Sequence, residues 1–166
     1  MSPEMARMVV RAAGPGIIRW IGVRPGRHAP VQAVETVQIA EHGLIGDRRT
    51  RPGKRAVSLI QWEHLPVIAA LAGHEAVTPD ILRRNIAVSG LNLLMLRKAR
   101  FRLGTALLQG TGLCAPCSRM EEALGQGGFN AVRGHGGITA EVISPGNAAL
   151  GDRVTLDSAP EDTHED

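Results

Sequence analysis

Residues Arg100–Glu122 read RFRLGTALLQGTGLCAPCSRMEE and carry most of what the sequence says about architecture. Arg100–Gln109 is predicted to be extended, with Phe101 and Leu103 in partial alternation. After the glycines at 110 and 112 come two cysteines, and SRME then has the S-x-x-E form of a capping box. It predicts a helix starting at Ser118 and stopping at Gly125. Strand, cysteine loop and short helix follow one another without the regular alternation of a doubly wound sheet.

The pattern repeats outward from this stretch. Extended segments are expected at Gly16–Val23, Ala33–Ala40, Ala56–Ile60, Asn85–Ser89, Ile138–Ser144 and Arg153–Leu156, which makes about seven strands in all. Helices are expected at Trp62–Ala72, where Pro66 must sit near the first turn or bend the axis and Gly73 is the stop, and after Thr78-Pro79-Asp80, an N-cap signal leading into ILRR. Many short strands with a few short helices indicate an α+β, β-rich fold with a closed or strongly curved mixed sheet. The chain reads as a single domain over residues 8–156, with residues 1–7 and the acidic, apolar-poor residues 157–166 as disordered tails.

Composition narrows the class. The 166 residues are 43% hydrophobic, enough for one core without staples, while 20 glycines and 10 prolines make the chain turn-rich rather than low in complexity. No apolar run approaches the ~18 residues of a membrane span, and the first residues do not form a secretory signal, so a cytoplasmic protein with no membrane role is expected. The net charge is +3, and since the 19 basic residues include only Lys54 and Lys98 as lysines, 17 are arginine. Guanidinium forks suit phosphate or carboxylate. Aromatics are 2% with no tyrosine, which argues against a nucleic-acid partner that must be stacked upon.

Four groups of residues could carry chemistry. In CAPC, Cys117 lies next to the predicted helix start, where unpaired N–H groups and Arg119 favour a thiolate, so Cys117 rather than Cys114 is the expected reactive sulfur. Glu41–Arg55, EHGLIGDRRTRPGKR, supplies a turn at His42, Gly43 and Gly46, an Asp47 able to fix an arginine or backbone N–H groups, and a basic rim of Arg48, Arg49, Lys54 and Arg55. Arg83-Arg84-Asn85 offers two forks and an amide. Arg133–Gly137 contains His135, Gly136 and Gly137, a loop able to approach a ligand closely. Structural zinc, a metal-free dithiol oxidoreductase using Cys114 and Cys117, and two inert thiols are the competing readings of CAPC.

Taken in order, EHGLIGDRR, GKRAVSLI, LRRNIAVSGLNL, RFRLGTALLQGTGLCAPCSRMEE, RGHGGITAEVI and LGDRVTL resemble the MOSC family, the molybdenum cofactor sulfurase C-terminal domain, in its short stand-alone form. The likeness runs from about Ala33 to Leu156. It implies a mixed β-barrel-like fold and makes Cys117 the functional cysteine, in a basic cleft. That cysteine would either bind molybdenum in molybdenum cofactor and reduce N-hydroxylated substrates, or carry sulfur as a persulfide from a desulfurase. It further implies that Arg48, Arg55, Arg84 and Asn85, with Arg83 and Arg119, contact the anionic pterin phosphate. Full-length sulfurases add a pyridoxal-phosphate domain with a Schiff-base lysine; this chain has no lysine in such a setting, so pyridoxal phosphate is not expected on it. Longer relatives also add an amino-terminal barrel, and its lack here suggests a cleft that is open or completed in a homodimer.

Overall fold

The computed structural model describes residues 1–158. Its strands are β1 (Gly16–Val23), β2 (Gln32–Val34), β3 (Thr36–Ala40), β4 (Gly43–Leu44), β5 (Val57–Gln61), β6 (Ile86–Ser89), β7 (Arg100–Leu103), β8 (Ala106–Leu113), β9 (Ile138–Ser144), β10 (Gly146–Ala149) and β11 (Arg153–Ser158). The helices are α1 (Pro3–Met8), α2 (Leu65–Ala72), α3 (Ser118–Leu124) and α4 (Gly128–Val132), with single 3-10 turns at Trp62–His64 and Leu93–Leu96.

Seven strands pair in the order β11-β7-β8-β9-β5-β6-β1, and β1 pairs back onto β11 through Gly16 with Val154 and Ile17 with Arg153. The sheet is therefore a closed mixed barrel, which leaves no long unpaired edge. Along β1 the partner changes: β11 covers its first residues and β2 its last, where Ile21 faces Val34. Only β5 and β6 run parallel in this barrel, and a parallel pair needs a long crossover. Helix α2 supplies it. A second sheet, β10-β3-β4, packs beside the barrel.

Two apolar layers hold the molecule. Leu59, Ile86, Val88, Phe101, Leu103, Leu108 and Ile138 fill the barrel, while their neighbours Ile60 and Ala87 point outward against Leu65 and Ile68 of α2, Met120 and Leu124 of α3, and Val132 of α4. Strand β5 is consequently buried on both faces. Each fully buried Leu, Ile or Phe contributes about 1.5–3 kcal/mol.

The structure departs from expectation at identifiable places. Arg100–Gln109 is a hairpin, because the chain reverses at Gly104-Thr105 and Leu103 pairs with Ala106. Ala33–Ala40 breaks at Glu35 into strands of two different sheets. The start signal at Thr78 yields a turn rather than a helix: Arg83 adopts a left-handed φ of 56°, and β6 begins before a second turn could form. Within residues 1–7, expected as a disordered tail, the chain enters α1, which runs on to Met8; the Ser2 hydroxyl accepts the Met5 N–H at 3.2 Å and none of the helix residues is buried. At the other end β11 continues through Asp157 and Ser158, and the rest of the expected tail, 159–166, lies outside the described residues.

Candidate functional site

The cysteine segment leaves the barrel where β8 ends. The Cys114 N–H donates to the Gly137 carbonyl at 2.8 Å, and Pro116 holds the chain extended up to Cys117. Cys117, not Ser118, is the N-cap residue of α3, with φ −127° and ψ 175° and no side-chain cap. The expected capping box does not form. Glu121 instead reaches forward to the N–H groups of Phe129 at 3.0 Å and Gly127 at 3.3 Å and caps α4, and the Phe129 bond above all holds its carboxyl below the ordinary glutamate value. Cys114 is buried and Cys117 exposed, and neither is in a disulfide.

Beneath this segment lies Arg84, 7% exposed. Its Nε donates to the Gly136 carbonyl at 2.9 Å and its Nη1 to the Leu82 carbonyl at 2.8 Å, while its buried Nη2 has no partner among the described residues. Burial is the main force lowering the ionisation of this guanidinium; Cys114 and Cys117 oppose it, and Arg24 and Arg55 add to it. The approach of Arg84 requires glycine at 136, since a Cβ there would run into the Cys114 carbonyl and stand 3.2 Å from Nη2. At Gly137, φ is 86° and a Cβ would collide with the Leu59 carbonyl, so that position too admits only glycine.

Arg83 points elsewhere. Its fork donates to the carbonyls of Ala29 at 2.8 Å, Gly26 at 3.1 Å and Arg27 at 3.3 Å, and Arg119 Nη1 donates to Arg27 at 2.9 Å. These two arginines pin the loop after β1. Burial first, then Arg119, Arg24 and Arg48, lower the ionisation of Arg83, and Asp47 partly offsets them. Positive charge is thus crowded here, with one carboxylate to answer it.

Asp47 is held by Arg24, a residue the sequence reading did not single out although it directly follows β1 and precedes Pro25-Gly26. Arg24 also donates to Asn85 Oδ1 at 3.3 Å. Asn85 itself is fully buried: Oδ1 accepts the Ser58 N–H at 3.1 Å and Nδ2 donates to the Gly22 carbonyl at 3.1 Å. It ties β1, β5 and the start of β6 together instead of facing a cleft. With Asp47 turned inward, Arg24, Arg48, Arg49, Thr50, Arg51 and Arg55 line an open cavity of about 530 Å³, and among the described residues no acidic side chain joins them.

The remaining candidates separate. Gly46 is exposed beside Val23, and His42 lines a groove with Glu41, Pro145 and Asn147, apart from the arginine cavity. Lys54 faces a different hollow, with Lys98 and Arg100. His135 joins His64, which the sequence reading passed over, in the wall of a cavity of about 240 Å³ that also borders Cys114. Among the described residues no group of three or more His, Cys, Asp or Glu is placed to hold a metal ion, so a four-ligand zinc site finds no ligand set.

No helix among the described residues is long and apolar enough to cross a membrane. In three dimensions the chain is similar to the YuaD protein of Bacillus subtilis, with a TM-score of 0.74 at 20% identity over 85% of this chain and 94% of that one. It is also similar to YiiM of Geobacillus stearothermophilus, with a TM-score of 0.72 at 19% identity over 87% of this chain and 76% of that one. For YiiM of Escherichia coli the TM-score is 0.67 at 22% identity over 86% and 70% of the two chains. These likenesses speak for the fold. No curated protein is significantly similar in sequence. The MOSC domain model matches residues 23–155, from the last residue of β1 into β11 and with the cysteine segment inside it, and the chain therefore belongs to the MOSC domain family.

Proposed function

We propose that this protein binds molybdenum cofactor, with Cys117 as the protein ligand to molybdenum and the arginine cavity as the seat of the pterin phosphate. One observation carries the reading: Arg84 is buried with an unpartnered Nη2 beside the cysteine segment. A buried guanidinium N–H without an acceptor is costly, and an anionic oxygen of a ligand is the acceptor it lacks. The other residues fit the same group. An exposed thiol is a soft ligand suited to molybdenum, and Arg48, Arg49, Arg51 and Arg55 offer guanidinium groups to phosphate in a cavity that no described acidic side chain lines. When bound, the cofactor supplies a metal centre able to take an oxygen atom from an N-hydroxylated small molecule.

This chain's own residues do the rest. Arg84 keeps Gly136 and the cysteine segment in register, Asn85 fixes the ends of β1 and β6, and Arg83 with Arg119 holds the Gly26–Ala29 loop. The exposure of Cys117 also suits a persulfide carrier loaded by a desulfurase, because a donor protein can reach that sulfur directly.

The test is elemental analysis and intact mass on protein made in cells that synthesise the cofactor. Bound molybdenum that is lost in Cys117→Ala supports the proposal. One extra sulfur atom on Cys117 without molybdenum replaces it with the carrier role. A Cys114–Cys117 disulfide with neither assigns a metal-free dithiol oxidoreductase.

A further inference from the structure

Beside the cysteine segment the structure holds a second cavity of about 240 Å³, with Leu113, Pro116, Ile138 and Leu94 among its walls and His64 and His135 on one side. Leu94 and Leu113 are 51% and 58% exposed, so two large apolar side chains stand open to water at this cavity. Among the described residues, no Asp, Glu, Lys or Arg lines it. Of its other polar side chains, Gln61 is occupied, its Nε2 donating to the Leu91 carbonyl at 2.9 Å and its Oε1 accepting the Leu93 N–H at 2.9 Å, and Asn92 Oδ1 accepts the Leu94 N–H at 3.1 Å.

The polar character of the recess therefore rests on the histidines and on the exposed Asn92 amide. Their Nδ1 atoms are 3.4 Å apart and the rings meet edge to face, with centroids 4.9 Å apart. Burial, then His135, lowers the ionisation of His64, which keeps that ring neutral near pH 7. If one Nδ1–H donates to the other Nδ1, the pair keeps one Nε2 lone pair and one Nε2–H, an acceptor and a donor.

We infer that this cavity binds an uncharged, flat molecule of about two fused rings, gripped by Leu94, Leu113 and Pro116 and hydrogen-bonded by the His64–His135 pair. Size supports two rings: an apolar cavity of about 150 Å³ takes benzene. Charge is excluded because no counter-ion lines the walls, and an unpaired charge is expensive to bury. The ligand would lie next to Cys114–Pro116 and so within reach of Cys117's segment. Its use as the substrate rests on the cofactor reading above, but its binding does not.

Benzimidazole, which has a ring N–H and a ring nitrogen acceptor, is the probe, with its 5-carboxylate as the charged counterpart. Amide NMR titration of protein made without the cofactor is expected to show saturable benzimidazole binding. Shifts should centre on residues 93–94, 113–116 and 134–138. The carboxylate and the exposed-site variant Leu94→Glu should each weaken binding by about tenfold or more. Cys117→Ala should bind benzimidazole as the parent does even when it retains no molybdenum, which separates failure of this inference from failure of the cofactor reading. Absence of saturation, shifts centred elsewhere, or equal affinity for the carboxylate overturns the inference.

Discussion

Arg24 grips Asp47 at three points: its backbone N–H and its Nε donate to Oδ1 at 2.6 and 3.1 Å, and its Nη2 donates to Oδ2 at 2.8 Å. The Asp47 side chain has no solvent exposure and that of Arg24 only 19%. The pair joins the end of β1 to the arginine-bearing loop, and through Arg24 it reaches Asn85 and the Arg83 carbonyl, which accepts Nη1 at 3.3 Å.

Removing one partner of such a pair leaves the other charge uncompensated. Asp47→Ala is expected to cost about 3 kcal/mol, the lower end for a buried pair because Arg24 keeps some contact with water. It should also loosen the Arg48–Arg55 loop. Chemical denaturation measures the first, and faster amide exchange at residues 48–55 the second; an unchanged midpoint would refute the assignment of this pair as the loop's anchor.

Arg84→Lys keeps a charge but not a fork. Lysine cannot hold the Gly136 carbonyl and also offer two further donors in a plane, so molybdenum retained per chain should drop by about tenfold or more while the far-ultraviolet spectrum is unchanged. Metal content equal to the parent's would mean that the orphaned Nη2 does not face the ligand.

Much of this arrangement was legible in the sequence, and the failures have specific causes. β1 and β9 are expected at their observed bounds because their apolar runs are flanked by Gly and Pro; the density of such segments indicates a closed or strongly curved mixed sheet, and the barrel is what the family resemblance implies. The hairpin between β7 and β8 was read as one strand because Leu103 and Ala106 flank a two-residue reversal that hardly interrupts the run. Tertiary competition explains other misses. Glu121 has the spacing of a capping box but finds the bare N-terminus of α4 within reach, and Arg83 closes its turn in a left-handed conformation that no local pattern announces. At the site, Arg48, Arg55 and Arg84 were singled out from charge and spacing, whereas Arg24 and His64 acquire meaning only from partners distant in the chain.

Gly136→Ala tests close packing under the cysteines. A methyl there meets the Cys114 carbonyl and approaches Arg84, so the cysteine segment must shift or Arg84 must withdraw. The expected cost is about 1–3 kcal/mol, and Cys114, buried in the parent, should become reactive to alkylating agents. Intact-mass labelling reads this directly: in the parent Cys117 is modified first, in the variant both cysteines at similar rates. Retention of the parent's order would show that the loop absorbs the methyl without moving.

The His64–His135 contact links stability to pH. The ionisation of His64 is lowered from its ordinary value of 6.5, by burial first and by His135 next, with Glu63 opposing. A folded-state value below the unfolded one means that the unfolded chain takes up the proton first. This contribution to stability is therefore complete above about pH 6.5 and is lost as the pH falls toward the lowered folded value. Melting temperature should decline between roughly pH 7 and pH 5, and the decline should be shallower in His64→Gln, which keeps a polar group but cannot titrate. Since acid also affects Glu121, whose lowered ionisation makes its cap fail only below the usual glutamate range, the two effects separate by pH. A slope identical in parent and variant across the upper window would show that His64 is protonated alike in the folded and unfolded chains.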